Sequence, residues 1–557
     1  MKTLKYILLS AVLIGFTACN EDEYDYTPDP EPLPELTAGS ADFSKYVAVG
    51  ASFTAGYTDG AVFIASQMNS FPNILNQQFS NVGGGTFTQP LTNDNYGGLA
   101  LGGNRLPGFN PRLVFGGAGP VPLESIIGPV TVTTDIASNN PVGPFNNLGV
   151  PGAKSFHFVA PGYGNIAGVA LGAANPYFVR MASSPNTTIL ADALAQNPTF
   201  FTLSEVGGND VLSYATSGGT GVDQTGNFDP STYGGNDITD PNVFAQAFSA
   251  EVTALTANGA KGVVTNVPYI TSLPHFTTVP YNPLDPSNPS FGPLIPTLNG
   301  VFGQINQVYA YLESVGAIDN AAERSVVFST SSASAVVIND ETLTNISSQI
   351  AAVLNASPTF PAFVQSFGLP AAAAPLVANL LGNFYGQSRQ ATNEDLLVLP
   401  SSSIIGTVNS TTYAYLISQG LPASLAGQFS VEGVTNPLAD KWILIPSEQN
   451  AIKTATDAYN VTIENVANAN GLALVDFKNI LEQASTTGIS NGGFTFTTDL
   501  VTGGLVSLDG IHLTARGYAV MANKFLEAID ATYGSNFTAA GVVASPGNYP
   551  TNYPPNL

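Results

Sequence analysis

Four short segments of this chain carry residue types suited to acyl transfer, each beside a turn signal. From the amino end they are Gly50-Ala51-Ser52-Phe53-Thr54-Ala55-Gly56, Asn147-Leu148-Gly149-Val150-Pro151-Gly152, Gly207-Gly208-Asn209-Asp210 and Asp509-Gly510-Ile511-His512. A serine hydroxyl is a weak nucleophile until an adjacent base takes its proton. Imidazole suits that task, because its ordinary pKa of about 6.5 lets it accept and return a proton at neutral pH. The imidazole in turn needs an orienting carboxylate. An aspartate three residues before a histidine, on a loop that opens a helix, reaches back to the ring unaided, and Asp509 and His512 have that spacing. Ser52 is therefore the candidate nucleophile, His512 the base and Asp509 its partner. The other two histidines, His157 and His275, have no acid three residues before them. They are expected to be structural or substrate-adjacent.

The elements that must position these residues follow from hydrophobic period. Residues 45–52 read as a short buried strand ending at a glycine turn, and 71–79 as a helix with Pro72 in its first turn. A second strand is expected just before Asn147, a third at 200–206 and a fourth at 262–267. Between the last two, Phe244, Phe248, Val252 and Leu255 form one helical face, stopped by Asn258-Gly259. A helix near 448–469, a fifth strand at 472–477 and a final helix with Tyr518, Met521, Phe525 and Ile529 on one stripe complete the pattern. Strand and helix alternating five times predict an α/β fold: a doubly wound, flavodoxin-like parallel sheet of five strands, helices on both faces and a ligand site at the strands' carboxyl ends. Residues 281–440 break this rhythm and are expected to form a partly helical insertion between the fourth and fifth strands. Residues 83–143, rich in Gly and Pro, read as a long ordered loop system.

The four segments, in this order, resemble the blocks of the SGNH (GDSL-type) hydrolases, which contribute Ser, Gly, Asn and His. The resemblance covers the core, 41–269 and 442–533, and the longer pattern is similar to large Bacteroidetes surface lipoproteins of that superfamily. It implies a serine esterase or lipase without cofactor or metal. It also implies an oxyanion hole made of the Ser52 N–H, the Gly152 N–H and the Asn209 side chain. The family's first block reads Gly-Asp-Ser, whereas Ala51 precedes the serine here. That aspartate is not the triad acid, but its replacement changes how the turn is held. A second expectation therefore stays open: a catalytically weak or inactive surface lipoprotein that binds glycan or lipid through its insertion.

Composition bounds the partners. The chain has 557 residues, of which 44% are hydrophobic and only 10% charged, and 15 basic against 39 acidic side chains leave a net charge of −24. Nucleic acid is excluded as a partner, since phosphate binding needs clustered Lys and Arg. Lys2 and Lys5 precede a short apolar run that ends in Thr17-Ala18-Cys19. This resembles a bacterial lipoprotein signal, in which the Cys19 thiol is lipidated and anchors the mature protein to the membrane. Cys19 is the only cysteine, which excludes an internal disulfide or a thiolate metal cluster. The expected organisation is a signal at 1–18, an acidic Pro-rich tether at 19–40, a core at 41–280 and 441–537, the insertion at 281–440 and a flexible tail at 538–557. The expected location is the outer membrane or cell surface, with an acylated glycan, a lipid or a small ester as substrate.

Overall fold

The computed structural model describes residues 32–557. The signal, Cys19 and most of the tether lie outside the described residues. Five parallel strands form the central sheet: β1 (Tyr46–Gly50), β2 (Asn147–Gly149), β3 (Phe200–Ser204), β4 (Lys261–Thr265) and β5 (Ala473–Val475). Their spatial order is β2-β1-β3-β4-β5. The register aligns their carboxyl ends, with Gly50 opposite both Gly149 and Ser204. One expectation is corrected: Asn147 begins β2 rather than following it. Its buried carboxamide donates to the Thr54 carbonyl at 2.8 Å and accepts from the Gly149 N–H at 3.0 Å, which lets a polar residue sit inside the sheet.

Alternation along each strand assigns the two faces. Val47 and Val49 of β1 pack into one apolar cluster, while Tyr46 and Ala48 pack into another. The first cluster is completed by α3 (Pro241–Thr256) and α6 (Pro446–Asn470), the second by α1 (Phe71–Phe79), Phe477 of α7 (Phe477–Thr486) and α8 (Ala515–Tyr533). Between α1 and α3 lies α2 (Asn209–Thr216). Both faces are buried, which is why the strands read as nearly continuous apolar runs. The Thr514 hydroxyl caps α8 by accepting the Gly517 N–H at 2.9 Å, and Gly534 in the left-handed region ends it.

Between β4 and α6 a separate apolar cluster runs from Val279 to Ile445, centred on α4 (Ile295–Ser314) and α5 (Ala374–Tyr385). Within it Arg389 bridges Asp340 and Asp395, both at 2.6 Å, and all three side chains are buried. α5 buries Ala378, Leu381 and Tyr385 in that cluster. No single helix among the described residues is long and apolar enough to cross a membrane. The last twenty residues, read from composition as loose, are docked. Tyr553 is buried against Phe63, and Arg112 donates to the carbonyls of Tyr553 and Pro554. An aromatic anchor and a buried guanidinium outweigh the polarity of the surrounding Asn, Pro and Gly.

Candidate active site

Ser52 begins a single helical turn, Ser52–Ala55, two residues beyond the end of β1. Close packing of that turn on β2 requires Gly149, where a Cβ would lie 2.2 Å from the Ala55 nitrogen. Among the described residues neither the Ser52 N–H nor the Gly152 N–H donates an internal hydrogen bond. Gly152 follows β2 with φ +81°, a left-handed conformation that favours glycine. Asn209 opens α2, and its carboxamide donates to the Ala153 carbonyl at 2.9 Å, leaving a second N–H beside Gly152. The neighbouring Asp210 secures this arrangement by accepting both the N–H and the hydroxyl of Ser155, at 2.9 and 2.7 Å. Ser52, Gly152 and Asn209 thus meet at one rim because three aligned strands end there.

Asp509 and His512 reach the same rim from the loop before α8. His512 Nδ1 lies 2.8 Å from Asp509 Oδ2. The carboxylate also accepts the N–H groups of His512, Ile511 and Gly60 at 2.8, 2.9 and 3.0 Å, and the Ser507 hydroxyl at 3.0 Å. Burial opposes its ionisation. The charge and hydrogen bonds of His512, with the Ile511 N–H, overcome that and hold the carboxyl below the usual range. With every acceptor site on Asp509 occupied, the imidazole orientation is fixed. Its ring lies 4.4 Å from that of Tyr57, just past the Ser52 turn, and 5.7 Å from that of Phe53 within it. Ser52 Oγ and His512 make no hydrogen bond with each other.

Sequence reasoning missed two carboxylates here. Glu205, at the end of β3, accepts the Ala51 and Thr54 N–H groups on one oxygen, Oε1, both at 2.8 Å. It therefore clamps the turn from below, where the sequence offers only Ala51 before the serine. It adopts φ +51°, which is strained for a non-glycine residue, and its Oε2 is buried without a partner. Burial pushes this carboxyl up to about 7, against the pull of its hydrogen bonds. The signal was present as a charged residue closing an apolar run, but nothing local marks its partner 151 positions upstream. Asp59 is buried with φ +52° and accepts the Leu508 N–H at 3.0 Å, while its own N–H donates to the Ser507 hydroxyl. Burial pushes it up to about 7 as well. In the sequence Thr58-Asp59-Gly60 reads only as a turn.

The remaining histidines stay outside the acid–base pair. His157 stacks on Tyr163 at 4.1 Å and accepts the Lys154 N–H on Nδ1, and burial lowers it to about 3. His275 is buried against the loop that carries Asp509 and His512, where its main-chain N–H donates to the Gly510 carbonyl at 3.0 Å. The aspartates at 229, 237 and 240 cap turns and helices; Asp240 accepts the Asn242 and Val243 N–H groups at the start of α3. No protein-family model, curated protein or solved structure matches the chain.

Proposed function

We propose that this chain is a serine ester hydrolase with the flavodoxin-like, doubly wound core of the SGNH (GDSL-type) hydrolases. In this reading 281–440 is an insertion between the fourth and fifth strands, and lipidated Cys19 anchors the enzyme at the outer membrane or cell surface. The observation that carries the proposal is the Asp509–His512 pair at 2.8 Å, its imidazole 5.7 Å from the ring of Phe53, the residue after Ser52, whose own N–H and that of Gly152 are uncommitted.

Ser52 Oγ attacks the ester carbonyl carbon while His512 Nε2 takes its proton. Asp509, ionised throughout the neutral range, stabilises the imidazolium and holds its tautomer. Negative charge on the former carbonyl oxygen is met by the Ser52 and Gly152 N–H groups and the free N–H of Asn209. As the tetrahedral intermediate collapses, the bond to the alcohol oxygen breaks and His512 returns its proton there. Water, deprotonated by His512, then attacks the acyl-enzyme; the bond to Ser52 Oγ breaks, His512 returns the proton to Oγ, and the acid is released. Ala51 is the feature favouring the second reading, an inactive binding lipoprotein. Glu205 answers it, because the Ala51 and Thr54 N–H groups already have a carboxylate acceptor.

The test is Ser52→Ala. Hydrolysis of short p-nitrophenyl esters and labelling by a fluorophosphonate should both vanish while the melting temperature is preserved. Wild-type turnover in that variant overturns the proposal, and unlabelled but folded wild-type protein favours the binding module.

A further inference from the structure

A cavity of about 110 Å³ opens beside Ser52, with Asn209 at the same end. Most of the remaining wall is carbon. It is built by Leu273, Leu481, Leu505, Val506, Val520 and Met521, all buried. The charged side chains on the wall are Glu205, at the Ser52 end, and Lys524, at the far end of the α8 wall. Such a wall offers nothing to the hydroxyls of a sugar and everything to an alkyl chain.

We propose that this cavity binds the acyl chain of the substrate ester, and that the chain is an aliphatic one of about four to eight carbons rather than acetyl. The inference rests on the hydrolase reading and specifies its substrate class. Two measures set the length. The volume is comparable with an engineered apolar cavity of about 150 Å³ that takes up benzene, so the enclosed part holds roughly four to six carbons. The wall contributed by α8 runs from Gly517 to Lys524, about 10 Å at helical rise. An extended chain advancing roughly 1.2 Å per bond covers that in about eight bonds. A carbonyl carbon at Ser52 with its oxygen towards Asn209 therefore sends its alkyl chain along α8, and a longer chain emerges past Lys524. An acetyl group leaves nearly all of the apolar wall uncovered.

The experiment measures kcat/KM for p-nitrophenyl esters with acyl chains of about two to twelve carbons, on wild type and on Val520→Trp. The wild-type value should climb by up to about fourfold per methylene from acetyl, peak within about four to eight carbons and then fall. Val520→Trp fills the cavity and should move the maximum to two to four carbons, with Leu481→Phe as the milder blocker if the first variant does not fold. A wild-type preference for acetyl, or a folded blocker that keeps the original profile, overturns the acyl site while Ser52-dependent turnover leaves the hydrolase reading standing. Turnover of every ester that survives Ser52→Ala sinks both.

Discussion

Replacing Glu205 separates the clamp under the Ser52 turn from the charge it carries. In Glu205→Ala the Ala51 and Thr54 N–H groups lose their acceptor. Each buried donor left alone costs about 1–3 kcal/mol, so the clamp as a whole is worth roughly 2–6 kcal/mol. An opposing gain applies above neutrality. A carboxyl that titrates near 7 instead of 4.5 carries a penalty of about 3 kcal/mol once ionised, and alanine removes it. Glu205→Ala should therefore unfold more readily at pH 5.5, with a smaller deficit at pH 8. Glu205→Gln keeps one acceptor oxygen and places an amide where the unpartnered Oε2 now lies, so it should be close to wild type at pH 8. Kinetically the clamp fixes the Ser52 N–H, and losing one oxyanion donor typically costs about 10²–10³ in kcat. Glu205→Ala should lose about 10- to 10³-fold, and Glu205→Gln less than about tenfold. Urea titrations at both pH values and steady-state hydrolysis of a p-nitrophenyl ester give the readouts. An alanine variant with unaltered stability and kcat refutes the clamp; equal losses in both variants refute the assignment of its effect to the acceptor oxygen.

Asp509→Asn should lower kcat by about 10³–10⁴, because an amide cannot both hold the His512 tautomer and stabilise the imidazolium. It should also cost roughly 1–3 kcal/mol where the Gly60 N–H loses its acceptor; a variant with more than a tenth of wild-type kcat contradicts the pairing. Stability should fall as pH rises from 6.5 to 8. Burial raises Asp59 and Glu205 to about 7 and Glu448 to about 8, and puts Glu251 well above its ordinary range. Such groups bind more protons folded than unfolded, so their ionisation weakens the native state. His157 and His275, both lowered by burial from an ordinary value of 6.5, are neutral when folded, and loss of their protons in the unfolded chain offsets only the first part of this interval. Glu251 has neither oxygen partnered, so Glu251→Leu should raise the melting temperature at pH 8 more than at pH 6. Melts that improve with pH over this interval contradict the argument.

The period of apolar residues carried the α/β pattern because each strand and helix buries a face whose spacing is local. Phe71–Phe79 and the stripe through Tyr518 and Ile529 formed where the period predicted them. Asp509 and His512 were equally legible, since three residues of separation on a loop bring their side chains within hydrogen-bonding distance without help from the rest of the chain. What the sequence could not settle depended on long-range register. Pairing of Gly50 with Gly149 and Ser204 decides that three turns meet at one rim. The same register brings a carboxylate from β3 beneath Ala51, where local reading found only a missing acid. The docked tail follows the same rule, because a partner for Tyr553 at Phe63 exists only after the chain has closed on itself. Local spacing specifies elements and near neighbours; contacts between residues hundreds of positions apart are set by the packing of the two sheet faces, and no short segment encodes them.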